Sequence, residues 1–236
     1  MKYLKSLGLA VLAALSVMAV MGAGMASASE PVVDATSFPV SFTGAGGHGL
    51  LEVTNGNKVT CTGSTSSGNI VSTTTAENVV VKFTGCTASF GAGCQSSGAA
   101  AGEIVTKKLH GTLVYLETNS TKTGILLKGE GASKTFATFT CAGGLASLEV
   151  VGEVIAELTS PNVKTKTFTL HFYSAGGHPT PASYLSNVGC THVSTTEALK
   201  TKSSGFPSFG LTGSAVQGTQ TLTTSQEITV TATSCV

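Results

Sequence analysis

Lys164-Thr165-Lys166-Thr167-Phe168-Thr169-Leu170-His171-Phe172-Tyr173 alternates with a period of two. Phe168, Leu170 and Phe172 fall on one face, and Thr165, Thr167, Thr169 and His171 on the other. A half-buried β-strand needs that alternation, because successive Cβ atoms point to opposite sides of the pleat. The arrangement recurs near the C-terminus, where Ile228, Val230 and Ala232 oppose Thr229, Thr231 and Thr233. Shorter runs rich in Val, Thr, Ile and Phe occur at 51–53, 59–62, 79–84, 104–116, 125–128 and 136–141, with Gly, Ser and Asn between them. About a dozen short strands with turn signals between them predict an all-β fold, either an antiparallel β-sandwich or a β-barrel.

One segment fits two periods. Leu148, Val150, Val154, Ala156 and Leu158 share a strand face, yet Glu149, Glu153 and Glu157 recur every four residues, as on an amphipathic helix. Gly152 and the Val150-Val151 pair favour strand. Two stretches of low complexity, Gly63 to Thr75 and Gly91 to Gly102, read as surface loops. Phe42 to His48 and Phe172 to His178 both end in Ala-Gly-Gly-His; a duplicated half-barrel would produce that echo, and so would chance in a chain with 29 glycines.

Residues 1–28 read as a cleavable signal peptide. Lys2 and Lys5 precede an apolar stretch from Leu7 to Met25, and Ala26-Ser27-Ala28 is an A-x-A processing site. The apolar run is nearly long enough for an uncleaved anchor, but its small-residue end favours cleavage. Residues 29–236 then form a single all-β domain with no further membrane span, secreted to the extracellular space, or periplasmic if the source is diderm. Export decides how the cysteines are read. Cys61, Cys86, Cys94, Cys141, Cys190 and Cys235 all follow the leader, and an even number in an oxidising compartment predicts a disulfide-stapled domain. The glycine-rich interval between Cys86 and Cys94 favours joining those two; the remaining four allow three pairings, of which Cys61 with Cys141, each following a strand pattern, and Cys190 with Cys235 is the one suggested.

Four strings, NVVVKFTGC (78–86), AAAGEI (99–104), FATFTCAGG (136–144) and KTKTFTLHF (164–172), resemble a group of uncharacterised secreted all-β proteins of actinobacteria, where similar strings occur in the same order after a signal peptide. The resemblance spans Phe42 to Phe172 and implies export and an all-β fold. It carries no site and no activity, and the C-terminal third with Cys190 and Cys235 departs from it.

Composition excludes several functions. The chain holds 41% hydrophobic residues, which argues against disorder, and it has no Trp and no Arg. Without the leader lysines it is close to neutral, so no basic field attracts nucleic acid. No G-x-S-x-G, S-x-x-K, HExxH or P-loop pattern occurs, and Asp34 is the sole aspartate, so the catalytic residues of any enzyme stay unknown at this stage. Paired glutamates for glycoside hydrolysis need only spatial proximity, but four Tyr and no Trp make a poor sugar-stacking surface. His171, His178 and His192 match no metal-ligand spacing, and neither metal nor cofactor is expected. The T-x-T runs at 165–169, 219–223 and 229–233 resemble ice-binding rows, but no fixed repeat builds the solenoid such rows require; solvent-facing strands explain them. Asn119-Ser120-Thr121 marks an exposed turn. An outer-membrane barrel would want aromatic girdles, which 6% aromatic content and six cysteines do not supply.

The resulting expectation is a secreted non-catalytic β protein, a binding or structural protein with an extracellular or envelope ligand as its partner. The alternatives are a secreted hydrolase with a Glu/His-based site, marked by close carboxylates or a Ser–His contact in a pocket, and a barrel carrier of a small apolar ligand, marked by a cavity of several hundred Å³ lined by Val, Leu and Phe. N-terminal sequencing of protein recovered outside the expressing cell is expected to begin at Ser29 or Glu30; an intact Met1 on cell-retained material would contradict the export reading.

Overall fold

The computed structural model describes residues 30–186, 190–194 and 198–235; the expected signal peptide, residues 1–28, lies outside them. Along the first half run β1 Val32–Asp34, β2 Val40–Gly46, β3 Gly49–Val53, β4 Lys58–Cys61, β5 Gly63–Ile70, β6 Thr75–Thr84, β7 Thr87–Ala88, β8 Cys94–Gln95, β9 Ile104–Val105 and β10 Leu109–Tyr115. The second half adds β11 Thr123–Gly129, β12 Thr135–Cys141, β13 Ala146–Val151, β14 Glu153–Leu158, β15 Thr165–Ala175, β16 His178–Thr180, β17 Ser183–Leu185, β18 His192–Ser194, β19 Lys200–Gly205 and β20 Phe209–Thr231. The protein is all-β.

Of the two architectures expected, the barrel is the one formed. Antiparallel pairing runs β2 to β5, β6, β10, β11, β14, β15, β20 and back to β2, which closes eight strands into a ring. Closure leaves no free edge among these eight. A second circuit continues from one end of the first. It runs β20, β3, β4, β7, then through a bridge between Thr87 and Gly93 to β8, β12, β13, β19 and back to β20. The long β20 belongs to both circuits, and the pairs β2/β3, β4/β5, β11/β12 and β13/β14 pass from one to the other across only a few residues.

Alternation assigns the faces. On β15 Phe168 and Leu170 are buried while Lys166 and Thr167 are exposed, and on β20 Gln220, Thr224, Ile228 and Val230 are buried while Thr219, Thr221 and Thr223 are exposed. The outward threonines lie side by side: Thr223 is opposite Thr167 on one flank and Thr43 on the other, and Thr221 is opposite Thr169 and Ala45. An apolar interior beneath a hydroxyl-rich exterior suits a barrel in water and is the reverse of the lipid-facing pattern. One core cluster joins Phe42, Leu109 and Leu127 of the first circuit to Phe136, Phe139 and Leu148 of the second. Burying one such Leu or Phe side chain contributes about 1.5–3 kcal/mol.

Leu148 to Leu158 is strand throughout, β13 and β14 separated by Gly152. Its glutamates pair across strands instead of down a helix, Glu149 with Lys202 at 2.7 Å and Glu157 with Lys122 at 3.5 Å. Gly63 to Thr75 corrects the expectation of a loop: most of it is β5, with Ser64 and Ser66 turned inward and buried. Small side chains gave that strand the composition of a loop. Gly91 to Gly102 stays largely irregular, with only β8 inside it. The two Ala-Gly-Gly-His copies play different parts, since residues 45–48 carry the chain from β2 to β3 whereas residues 175–178 close the β15–β16 hairpin. Geometry gives no support to a duplicated half-barrel.

Three disulfides are present, Cys61–Cys86, Cys94–Cys141 and Cys190–Cys235. The expected Cys86–Cys94 and Cys61–Cys141 pairs are therefore corrected, and the expected Cys190–Cys235 pair is found. Strand register explains the exchange. Cys94 and Cys141 are direct cross-strand partners, so their side chains share one face. Cys94 also donates its backbone N–H to the Cys86 carbonyl at 2.9 Å, so the two buried bridges lie next to each other. The third bridge packs with Tyr115, Leu185 and Ala232 and holds the C-terminal end of the chain. It closes 45 residues, and replacing both Cys190 and Cys235 by Ala is expected to cost about 2–5 kcal/mol of stability in a denaturant titration.

Candidate functional site

The interior is not completely filled. A cavity of about 160 Å³ spans the junction of the two circuits, lined by Phe42, Val79, Leu113, Ile125, Leu127, Phe168, Phe172 and Leu222 among others. Inward-facing Ile125, Phe172 and Leu222 are only partly covered, whereas Phe42, Val79, Leu113, Leu127 and Phe168 of the same wall are buried. Among the described residues no Lys, Asp or Glu lines this wall, and His48 is its one titratable side chain.

The apolar lining is interrupted by Thr106 and Thr224, whose hydroxyls are bonded to backbone groups, and by a cluster of polar side chains. Ser66 Oγ donates to Gln220 Oε1 at 3.0 Å, and Gln220 Nε2 donates to Ser64 Oγ at 2.6 Å, with all three residues buried. Alternation places them: Ser64 and Ser66 are two apart on β5, and Gln220 belongs to the inward row of β20. Between these strands runs β2, whose Gly44 and Gly46 give the cluster room. A Cβ at Gly44 would stand 2.9 Å from Gln220 Oε1, and one at Gly46 would stand 2.6 Å from Ser64 Oγ. Without side chains there, β5 and β20 reach each other across β2.

A groove opens beside the cluster. Gly47, His48, Phe172, Tyr173, Gln217, Gly218 and Thr219 line it, and His48, Phe172 and residues 217–219 belong to the cavity wall as well. It forms where β15, after its last partner pair with β20 at Phe172 and Gly218, turns away to join β16. The β15–β16 turn is held from below: Gly177 N–H donates to Glu52 Oε2 at 3.0 Å, and Lys58 Nζ meets Glu52 Oε1 at 2.8 Å. The Lys58 hydrogen bond, followed by the Gly177 N–H, draws the Glu52 carboxyl below its ordinary value.

The remaining candidates stay apart. His171 shares a 3.1 Å hydrogen bond with Thr219 and stacks on Tyr173 at 5.7 Å, while His178 is on β16 and His192 on β18. Among the described residues no group of three potential metal ligands occurs. Glu149 and Glu157 are engaged in ion pairs with lysines and do not line the cavity. Among the described residues neither close carboxylates nor a Ser–His contact is found in the cavity wall. Sequence reasoning singled out none of Ser64, Ser66 and Gln220. The signal was available in the alternation of residues 63–70, but serine and glycine carry no apolar mark.

Comparison with family profiles, curated proteins and solved structures finds no match to the chain.

Phe172 stands between groove and cavity, so Phe172→Ala is expected to speed exchange of any interior molecule at least tenfold in a stopped-flow release measurement. Glu52 supplies a separate test. Its folded pKa is lowered, so its contribution to holding the turn is present above the unfolded carboxyl pKa and is lost as pH falls through the lower folded value. The Gly177 amide shift in NMR is expected to titrate with a midpoint below 4.5, and Glu52→Gln to abolish that titration.

Proposed function

We propose that the protein is a secreted, non-catalytic binding protein that holds a small apolar molecule inside its barrel. The carrying observation is the apolar cavity of about 160 Å³ with a groove at its side. An unfilled space of that size forfeits about 4 kcal/mol of packing, at roughly 24 cal/mol per Å³. The Val, Leu, Ile and Phe side chains that border the space leave it unfilled. It is smaller than the several hundred Å³ expected of a general carrier, which limits the cargo to something near benzene in bulk, the molecule that a cavity of about 150 Å³ accepts in another protein.

Export is part of this reading. The leader pattern in residues 1–28 supports it, as do three disulfides in one chain. Among the described residues no helix is long and apolar enough to cross a membrane. The protein then works in the extracellular space or at the envelope, taking up its ligand from water through the groove.

Benzene and n-hexane, titrated calorimetrically and by thermal shift, are expected to bind and to raise the melting temperature. Ile125→Phe, which fills part of the cavity, is expected to weaken both at least tenfold while leaving the β-sheet circular-dichroism spectrum unchanged. A folded protein that binds neither probe would refute the proposal.

A further inference from the structure

The polar cluster inside the cavity points to a narrower ligand class, an inference that rests on the interior-binding reading. Each partner in the cluster is only half used. A primary amide offers two N–H donors and a carbonyl with two lone pairs, and a hydroxyl offers one donor and two lone pairs. Gln220 spends one N–H on Ser64 and one lone pair on Ser66. Its second N–H, its second lone pair and the Ser64 hydroxyl proton have no partner among the described residues. Each of these atoms already has one partner, and the remaining capacity is available to a ligand. All three residues border the cavity, whose wall also carries Thr106 and Thr224, and Gln220 lies one residue along β20 from Thr219 of the groove.

Charge sets the other limit. Among the described residues no lysine and no carboxylate lines the wall, so a carboxylate or ammonium head would be buried without a counter-charge, which is far costlier than burying a neutral group. We infer that the barrel binds a small neutral amphiphile, a short alkyl or monocyclic body bearing one hydroxyl or carbonyl, with that oxygen on the Ser64–Gln220–Ser66 cluster and the apolar part lying against Ile125, Leu127 and Phe168. The hydroxyl accepts from the free Gln220 N–H or from Ser64 and donates to Gln220 Oε1. An alkane fills the same space without making these bonds.

Isothermal titration of 1-hexanol, n-hexane and sodium hexanoate at pH 7 tests the assignment in the native protein and in two variants. Ser64→Ala removes a single hydroxyl, and Gln220→Met keeps the length of the side chain while removing its amide. The alcohol and the alkane both bind the native protein and hexanoate does not. Each variant lowers the ratio of hexanol to hexane affinity about five- to tenfold, as expected for loss of one hydrogen bond to a bound ligand. Should Gln220→Met fail to fold, Ser64→Ala alone decides the point. An unchanged ratio in a folded variant, or hexanoate binding as tightly as hexanol, overturns the neutral-head assignment while interior binding stands. If neither hexanol nor hexane binds the native protein, the interior-binding reading falls and this assignment with it.

Discussion

Closure of eight strands into a ring of backbone hydrogen bonds places every other feature of the molecule. Once β20 pairs with both β15 and β2, each residue in the ring has one of two directions, and a slip of a single position would turn every side chain to the opposite face. Phe168 is inside because Thr167 is outside. The same closure satisfies the backbone polar groups that an open sheet would leave along its edges, so the interior can be apolar without cost from unpaired N–H and C=O.

The interior that results is defined as much by small residues as by large ones. Gly44 and Gly46 on β2 let the side chains of β5 and β20 meet across them, and that meeting produces a side-chain polar cluster in the wall. Phe, Leu, Val, Ala and the bridged cysteines make up most of the remainder. Where the first circuit passes into the second, the strands bend and change partners, and side chains from both circuits border a space that none of them fills. The groove arises from the same change of partners, at the point where β15 leaves β20. Cavity, cluster and groove are therefore consequences of one topology.

Much of the fold was legible in the residues, and the parts that were not share a cause. Lys164 to Tyr173 and Ile228 to Thr233 showed their strands openly, because Thr against Phe, Leu or Val marks the two faces clearly. Leu148 to Leu158 was legible once Gly152 was weighed against the glutamate spacing. Residues 63–70 were misread because Ser64, Ser66 and Gly68 point inward yet carry no hydrophobic signature. The cluster they build with Gln220 was hidden for the same reason, and because 154 residues separate Ser66 from its partner. The cysteines mark a third kind of limit: a short glycine-rich interval permits Cys86 to meet Cys94, but facing strands decided that Cys94 meets Cys141.

By itself the amino-acid order determined strand, face and chemical class: an all-β chain, six cysteines destined for bridges and threonines on the outward faces of β15 and β20. These are local properties, set by alternation and composition. Only the tertiary structure decided that the strands close into a barrel and not a sandwich, which cysteines face each other, and that two serines and a glutamine meet within an apolar hollow. Closure, register and cavity volume depend on contacts between residues far apart in the chain, where a period of two says which way a side chain points but not what stands opposite it.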